Sequence, residues 1–257
     1  MFAFEDFDIK LDTDVIGRNF IYSEEVESTN SVLLDPQFDM DLDGTVILAE
    51  RQNGGRGRRD RKWYSAKDQN LTFSILLKRK FDEKKINLIN FASALSVAFS
   101  LENLYQIRVN LKWPNDVLAG QDKIAGILLE STIKGNKMNK LVIGIGLNVN
   151  QTVFQGSFNI PPTSVKKILD QDVSRERLLS EILNNFEDLL KRVHSDPQSI
   201  LEDWKSRCRM IGELVSIQDE NFSKVGVFED VDEEGFLLLR VNRDTLEKIH
   251  FGDVSLR

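Results

Sequence analysis

KIAGILLESTIKGNKMNKLVIGIGLNVN, residues 123–150, reads as two apolar strands around a polar turn. KIAGILLES (123–131) and LVIGIGLNVN (141–150) are apolar, contain β-branched residues and hold no proline. Gly135-Asn136 between them suits the tight reversal of a hairpin, so the two strands are expected side by side and antiparallel. Upstream, RVNLKW (108–113) predicts another strand, stopped by Pro114. Before it, Ile86, Ile89, Leu95, Val97, Leu101 and Leu104 recur near helical spacing and predict a central helix over 84–105. LTFSILLK (71–78) and TVILAE (45–50) predict two further strands. Downstream, Ser174 is placed to cap a second long helix with the stripe Leu178, Ile182, Phe186, Leu189 and Val193. Past Gly212 come ELVSIQD, KVGVFEDV, GFLLLRV and DVSL, short strands at turn-like intervals. Such a unit is too small to bury a sufficient core alone and is expected to pack on the rest as a compact barrel. Strands broken up by two long helices predict an α+β fold, divided into 1–209 and 210–257.

With 41% hydrophobic and 29% charged residues, the 257-residue chain has ordinary globular composition. A single cysteine, Cys208, excludes a disulfide framework and a four-cysteine zinc site. The acidic start MFAFEDFDIKLD is unlike a secretory signal, and no apolar run reaches the ~18 residues of a membrane span. A reducing, cytoplasmic setting without membrane attachment is therefore expected. The net charge of -7 argues against a general polyanion binder. Yet residues 51–62 hold six cations (Arg51, Arg56, Arg58, Arg59, Arg61 and Lys62) against one acid, Asp60. Such a loop is either solvated or faces a local anion.

Within that loop GGRGR (54–58) follows a strand directly. Its glycines allow close backbone approach, and its arginines offer planar forks to a carboxylate or phosphate. It is neither a Gly-Lys-Ser/Thr phosphate loop nor a GxGxxG turn, and similar loops bind RNA or sit in water. In KWPND (112–116) the proline fixes its own φ and holds Trp113 extended, presenting Lys112, Asn115 and Asp116 at a strand end. A plain Pro-Asn-Asp turn has the same sequence. Lys123 opens the following strand, where a surface lysine is common. Asn148 is a polar amide in an apolar run and must find a hydrogen-bond partner. STN (28–30) has the look of a helix cap.

Taken in order, STN (28–30), Gln52, GRGR (55–58), Arg61, Trp63, KWPND (112–116), KIAGIL (123–128) and GIGLNVN (144–150) resemble the biotin–protein ligases, as does the strand-rich tail. The resemblance covers nearly the whole chain. It implies a mixed sheet like that of class II aminoacyl-tRNA synthetases followed by an SH3-like barrel. It also implies that Ser28, Thr29, Asn30, Gln52, Arg56, Gly57, Arg58 and Lys123 hold biotin. Arg61, Trp63, Lys112, Asn115 and Asn148 would then serve ATP, and Asp116 would orient Mg2+. The family's glycine is replaced by Asp60 here, which puts a negative charge into an anion-binding loop.

By the same resemblance, biotin and ATP are substrates, and the acceptor is a lysine of a biotin carboxyl carrier protein or domain. The biotin carboxylate attacks the α-phosphate of ATP, pyrophosphate leaves, and the carrier amine attacks the acyl carbon to release AMP. Two anions meet in the first step, so Lys123 and Arg58 are the expected catalytic cations. A lipoate ligase or octanoyl transferase is the nearest rival; the transferases need a cysteine nucleophile, and Cys208 lies beyond the motifs. A DNA-binding regulator is the rival from another class. The 27 residues before Ser28 are few for a helix-turn-helix domain and carry eight acids against two bases, so no nucleic acid is expected. A homodimer is allowed. The glycines and like charges of 53–63 predict a loop that becomes ordered on ligand binding.

Overall fold

The computed structural model describes residues 2–257 apart from 39–41, 60, 79–81, 136 and 220–221. Seven strands, β1 (Phe20–Val26), β2 (Val46–Gln52), β3 (Leu71–Leu77), β4 (Asn110–Lys112), β5 (Asp116–Ala119), β6 (Asp122–Lys134) and β7 (Lys137–Leu147), form one mixed sheet in the order β1-β2-β3-β7-β6-β5-β4. Only β1 and β2 run parallel. The hairpin expected from 123–150 is β6 and β7, at the middle of the sheet.

Side chains alternate faces along a strand, and that period divides the sheet. In β7, Ile143, Ile145 and Leu147 join Phe73 and Ile75 of β3 in the main core. That core is closed by α3 (Ile86–Tyr105), α5 (Arg175–Ser195) and α6 (Pro197–Arg207). Gly144 and Gly146 fall on the other face, which α2 (Thr29–Leu34) covers only in part. Ser174 caps α5 as expected, accepting from Arg177 N at 3.1 Å. The acidic lead is also built in. Helix α1 (Phe4–Asp8) packs on α5, with Phe2 and Phe7 buried, and the Glu187 carboxylate accepts from the backbone of Asp14, Val15 and Ile16 at 2.7–2.9 Å. One further short helix, α4 (Val165–Leu169), lies between β7 and α5.

Five antiparallel strands follow: β8 (Leu214–Gln218), β9 (Ser223–Val231), β10 (Leu237–Arg240), β11 (Leu246–Ile249) and β12 (Asp253–Leu256), in the order β11-β10-β9-β8-β12. β11 was missing from the sequence expectation, because LEKI has the charge content of a loop. This unit docks on the first: Trp113 Nε1 donates to Gly235 O at 3.2 Å, and Asn87 Nδ2 to Glu234 O at 3.0 Å. The architecture is α+β with a small all-β appendage, as expected.

Candidate active site

A cleft of about 640 Å3 opens on the glycine face of the sheet, roofed by the 53–63 loop and edged by the β8–β12 unit. One end is a dense polar network. Thr29, at the start of α2, donates from N and Oγ1 to Gln52 Oε1 at 2.7 and 3.0 Å. Ser74 Oγ lies 2.6 Å from both Thr29 Oγ1 and Asn30 Oδ1. Asn30 Nδ2 donates to Leu128 O at 3.2 Å and to Glu130 Oε2 at 2.7 Å. The Thr29, Asn30, Gln52 and Ser74 side chains are oriented by one another, which pre-forms a recognition surface. A β-carbon on Gly144 would come within 2.4 Å of Asn30 Oδ1, so only glycine lets that amide lie on the sheet. Ser28 precedes α2 and is buried at the same end.

The other end is cationic. Lys123 Nζ lies 2.5 Å from Asp116 Oδ1, across the β5–β6 pair. Asn115 is fixed by its Nδ2 bond to Ile127 O at 2.6 Å, and its Oδ1 accepts from Arg58 Nη1 at 3.5 Å. Lys112 and Arg58 are both mostly enclosed, and loss of solvent pushes each below its ordinary pKa, against the opposing pull of Asp116 on Lys112 and of Asp253 on Arg58. Two desolvated cations beside Lys123 make this end of the cleft a place for an anion. Asn148 finds the partner it requires: Nδ2 donates to Thr163 O at 3.0 Å and ties down the chain after β7.

The roof is a narrow turn, with Gly57 N bonded to Arg61 O at 2.6 Å and Trp63 N to Gly55 O at 2.9 Å. Its arginines diverge. Arg56 pairs with Glu130 at 3.2 Å, Arg59 with Asp219, and Arg61 with Asp253. Arg58 alone of the four has its hydrogen bond to a neutral side chain among the described residues. The other loop arginines thus have carboxylate partners, unlike the self-repelling loop expected from its sequence, because Asp219 and Asp253 are remote in the chain and close in space. Asp60 lies outside the described residues.

Two of the assigned residues have contacts within the protein. Trp63, assigned to the nucleotide by resemblance, lies over Gly126 and Gly146 in mid-cleft. Asp116, assigned to Mg2+, is engaged by Lys123, and among the described residues no group of three His, Cys, Asp or Glu could hold a metal. Magnesium is commonly held by one or two carboxylates together with phosphate oxygens and water, so Asp116 would hold it only alongside the nucleotide.

Sequence reading missed several lining residues. Phe154 and Phe158, in the irregular stretch after β7, line the cleft, and Phe158 is 43% exposed. Thr72 and Asp253 also line it and carried no local motif, and neither did Glu130 and Asp219, which pair with the loop arginines Arg56 and Arg59. The Ile-Gly alternation of GIGLN was the available signal for a sheet face left bare for a ligand.

Residues 22–148 match the Biotin/lipoate A/B protein ligase family, and 210–257 match the Biotin protein ligase C terminal domain. The Biotin--[acetyl-CoA-carboxylase] ligase of Mycobacterium tuberculosis is 31% identical over 83% of this chain and 79% of its own. The chain belongs to the biotin–protein ligase family. The Bifunctional ligase/repressor BirA of Bacillus subtilis is 29% identical over 96% of this chain and 76% of that protein. Among solved structures, the biotin protein ligase from Aquifex aeolicus in complex with biotin and ATP superposes with a TM-score of 0.81, at 31% identity over 93% of this chain and 99% of that one. Family membership explains why one cleft joins a neutral amide-and-hydroxyl end to a cationic end.

Proposed function

We infer that this chain forms biotinyl-5'-AMP from biotin and ATP and transfers biotin to a lysine of a biotin carboxyl carrier protein or domain. The observation that carries this is the polarity of the cleft: Thr29, Asn30 and Gln52 at one end, Lys112, Arg58 and Lys123 at the other. The neutral end suits a ureido group, which offers one acceptor and two donors to oriented amides and hydroxyls. The cationic end suits a carboxylate meeting a phosphate.

In the first step the carboxylate oxygen bonds to the α-phosphorus and pyrophosphate departs. Lys123, already held by Asp116, and Arg58 from the roof reduce the repulsion between the two anions, and enclosure strengthens both contacts. Lys112 faces the same charge from KWPND. Arg56 and Gly57 complete the roof over biotin, while Asn115, Asn148, Arg61 and the exposed face of Phe158 serve the nucleotide. Any magnesium enters with the phosphates. In the second step the carrier amine adds to the acyl carbon and AMP leaves with the bonding pair.

The division into a catalytic unit, 1–209, and a C-terminal unit, 210–257, belongs to the same reading, as does the cytoplasm, which suits a lone buried thiol. The lead carries eight acids against two bases and packs on α5, and we assign it no nucleic-acid partner. No helix among the described residues is long and apolar enough to cross a membrane. The test is a parallel assay with α-labelled ATP and biotin, lipoate or octanoate. Biotin should be activated fastest; faster activation of octanoate or lipoate would overturn the substrate assignment.

A further inference from the structure

Three strands place three residues in one row on the cleft face. Thr72 of β3 pairs with Gly146 of β7, which pairs with Gly126 of β6. Directly paired residues in an antiparallel ladder share a face, so the Thr72 side chain stands beside two positions that have none. The Trp63 indole fills that gap: a β-carbon on Gly146 would lie 2.3–2.6 Å from its ring atoms, and one on Gly126 3.5 Å. The neighbouring row is Ser74, Gly144 and Leu128, covered by Asn30. On the other side, a β-carbon on Gly126 would meet Lys123 Nζ at 3.2 Å. A molecule reaching from Asn30 to Lys123 therefore crosses the floor on which Trp63 lies.

The polar atoms there are unusual. Thr72 is 4% exposed, and its Oγ1 has no hydrogen-bond partner. Trp63 Nε1 is likewise buried without a partner. Only two other side-chain atoms among the described residues share that state, Thr132 Oγ1 and Arg207 Nε, and neither residue lines the cleft. An orphaned buried hydroxyl is unfavourable, and buried polar groups are otherwise nearly always paired. Two orphans converging on one bare patch of a binding cleft mark a surface whose partner arrives with the ligand.

We propose that Thr72 is a further substrate-contacting residue: when biotin enters, the Trp63 indole lifts from the Gly126–Gly146 floor and the Thr72 hydroxyl donates to the thioether sulfur of biotin, the ring atom between the ureido group and the valerate chain. This rests on the biotin path inferred above. The contact adds specificity at mid-cleft, between the Asn30 network and Lys123.

The test is calorimetric titration of biotin into the full-length wild type, Thr72→Val and Thr72→Ser, with thermal unfolding of each protein free of ligand. Valine keeps the shape and removes the orphan, so Thr72→Val should be at least as stable as the wild type. It should bind biotin about three- to tenfold more weakly, the range of one neutral hydrogen bond. Thr72→Ser should retain wild-type affinity, and ATP binding should be unchanged in both. If valine packs badly, Thr72→Ala removes the same hydroxyl and is read against Thr72→Ser. Wild-type biotin affinity in the folded hydroxyl-less variants would overturn the proposal. Failure of the wild type itself to bind biotin would instead overturn the assigned function.

Discussion

Arg59 of the cleft roof is ion-paired with Asp219 of the C-terminal unit, and its Nη1 also donates to Gln218 O at 3.0 Å. With Arg61 on Asp253, the roof is fastened at its far side to residues 160 and 192 positions later in the chain. The C-terminal unit is thereby part of the cleft wall. Because Arg56, Arg59 and Arg61 are each matched by a carboxylate among the described residues, Arg58 is the loop arginine left for an incoming anion.

Loosening that fastening should open the roof. Asp219→Asn with Asp253→Asn removes three partly exposed pairs, Arg59 with both aspartates and Arg61 with Asp253, each worth about 0–1 kcal/mol. We expect biotinyl-adenylate to dissociate up to about tenfold faster, with faster hydrogen exchange across 53–63. In the wild type, raising salt from 50 mM to 1 M should move the release rate the same way. A release rate insensitive to both changes would show that the roof closes by other contacts.

Lys112 carries a stability cost in the empty protein. Burial holds its pKa below the ordinary 10.5, so the charged form is disfavoured on folding. That penalty is full below the folded-state pKa and fades as pH rises toward 10.5, so stability gains with pH across that window. Lys112→Met should raise the melting temperature of the free protein near neutral pH and flatten its alkaline pH dependence. The same change should weaken ATP use by roughly 10- to 150-fold, the loss of one charge-assisted bond. Calorimetric scans between pH 7 and 10, paired with adenylation rates, check both signs.

Phe158 is exposed where it lines the cleft, beyond Asn148. An aromatic face so placed suits a nucleobase. Phe158→Ala should raise KM for ATP about two- to tenfold while leaving biotin affinity unchanged. An equal loss for both substrates would mean that the 151–162 stretch shapes the whole cleft and does not meet the base in particular.

Much of this was legible in the chain. The 123–150 hairpin, the 86–105 helix and the Ser174 cap follow from local periodicity and capping, so they survive without tertiary information. The ordered motifs from Ser28 to Asn148 converge on one cleft, delivered by the start of α2, the 53–63 loop and the strand ends. Other features depend on packing between distant segments. Phe2 and Phe7 lie in a lead whose charge suggests solvent, yet they bury against the rest of the chain. Asp219 and Asp253 stand at the ends of the expected strands ELVSIQD and DVSL, and nothing local shows that they face the roof. Thr72 reads as a good strand former, and only the bare glycines beside it and the indole above it give its hydroxyl a role.

The two-anion step at Lys123 is measured most directly by comparing adenylate formation with transfer from pre-formed biotinyl-5'-AMP in Lys123→Ala. Loss of a charge-assisted contact to the transition state costs about 2–4 kcal/mol, so adenylation should fall roughly 30- to 1,000-fold while transfer changes far less. A folded Lys123→Ala enzyme that adenylates biotin at the wild-type rate would contradict it.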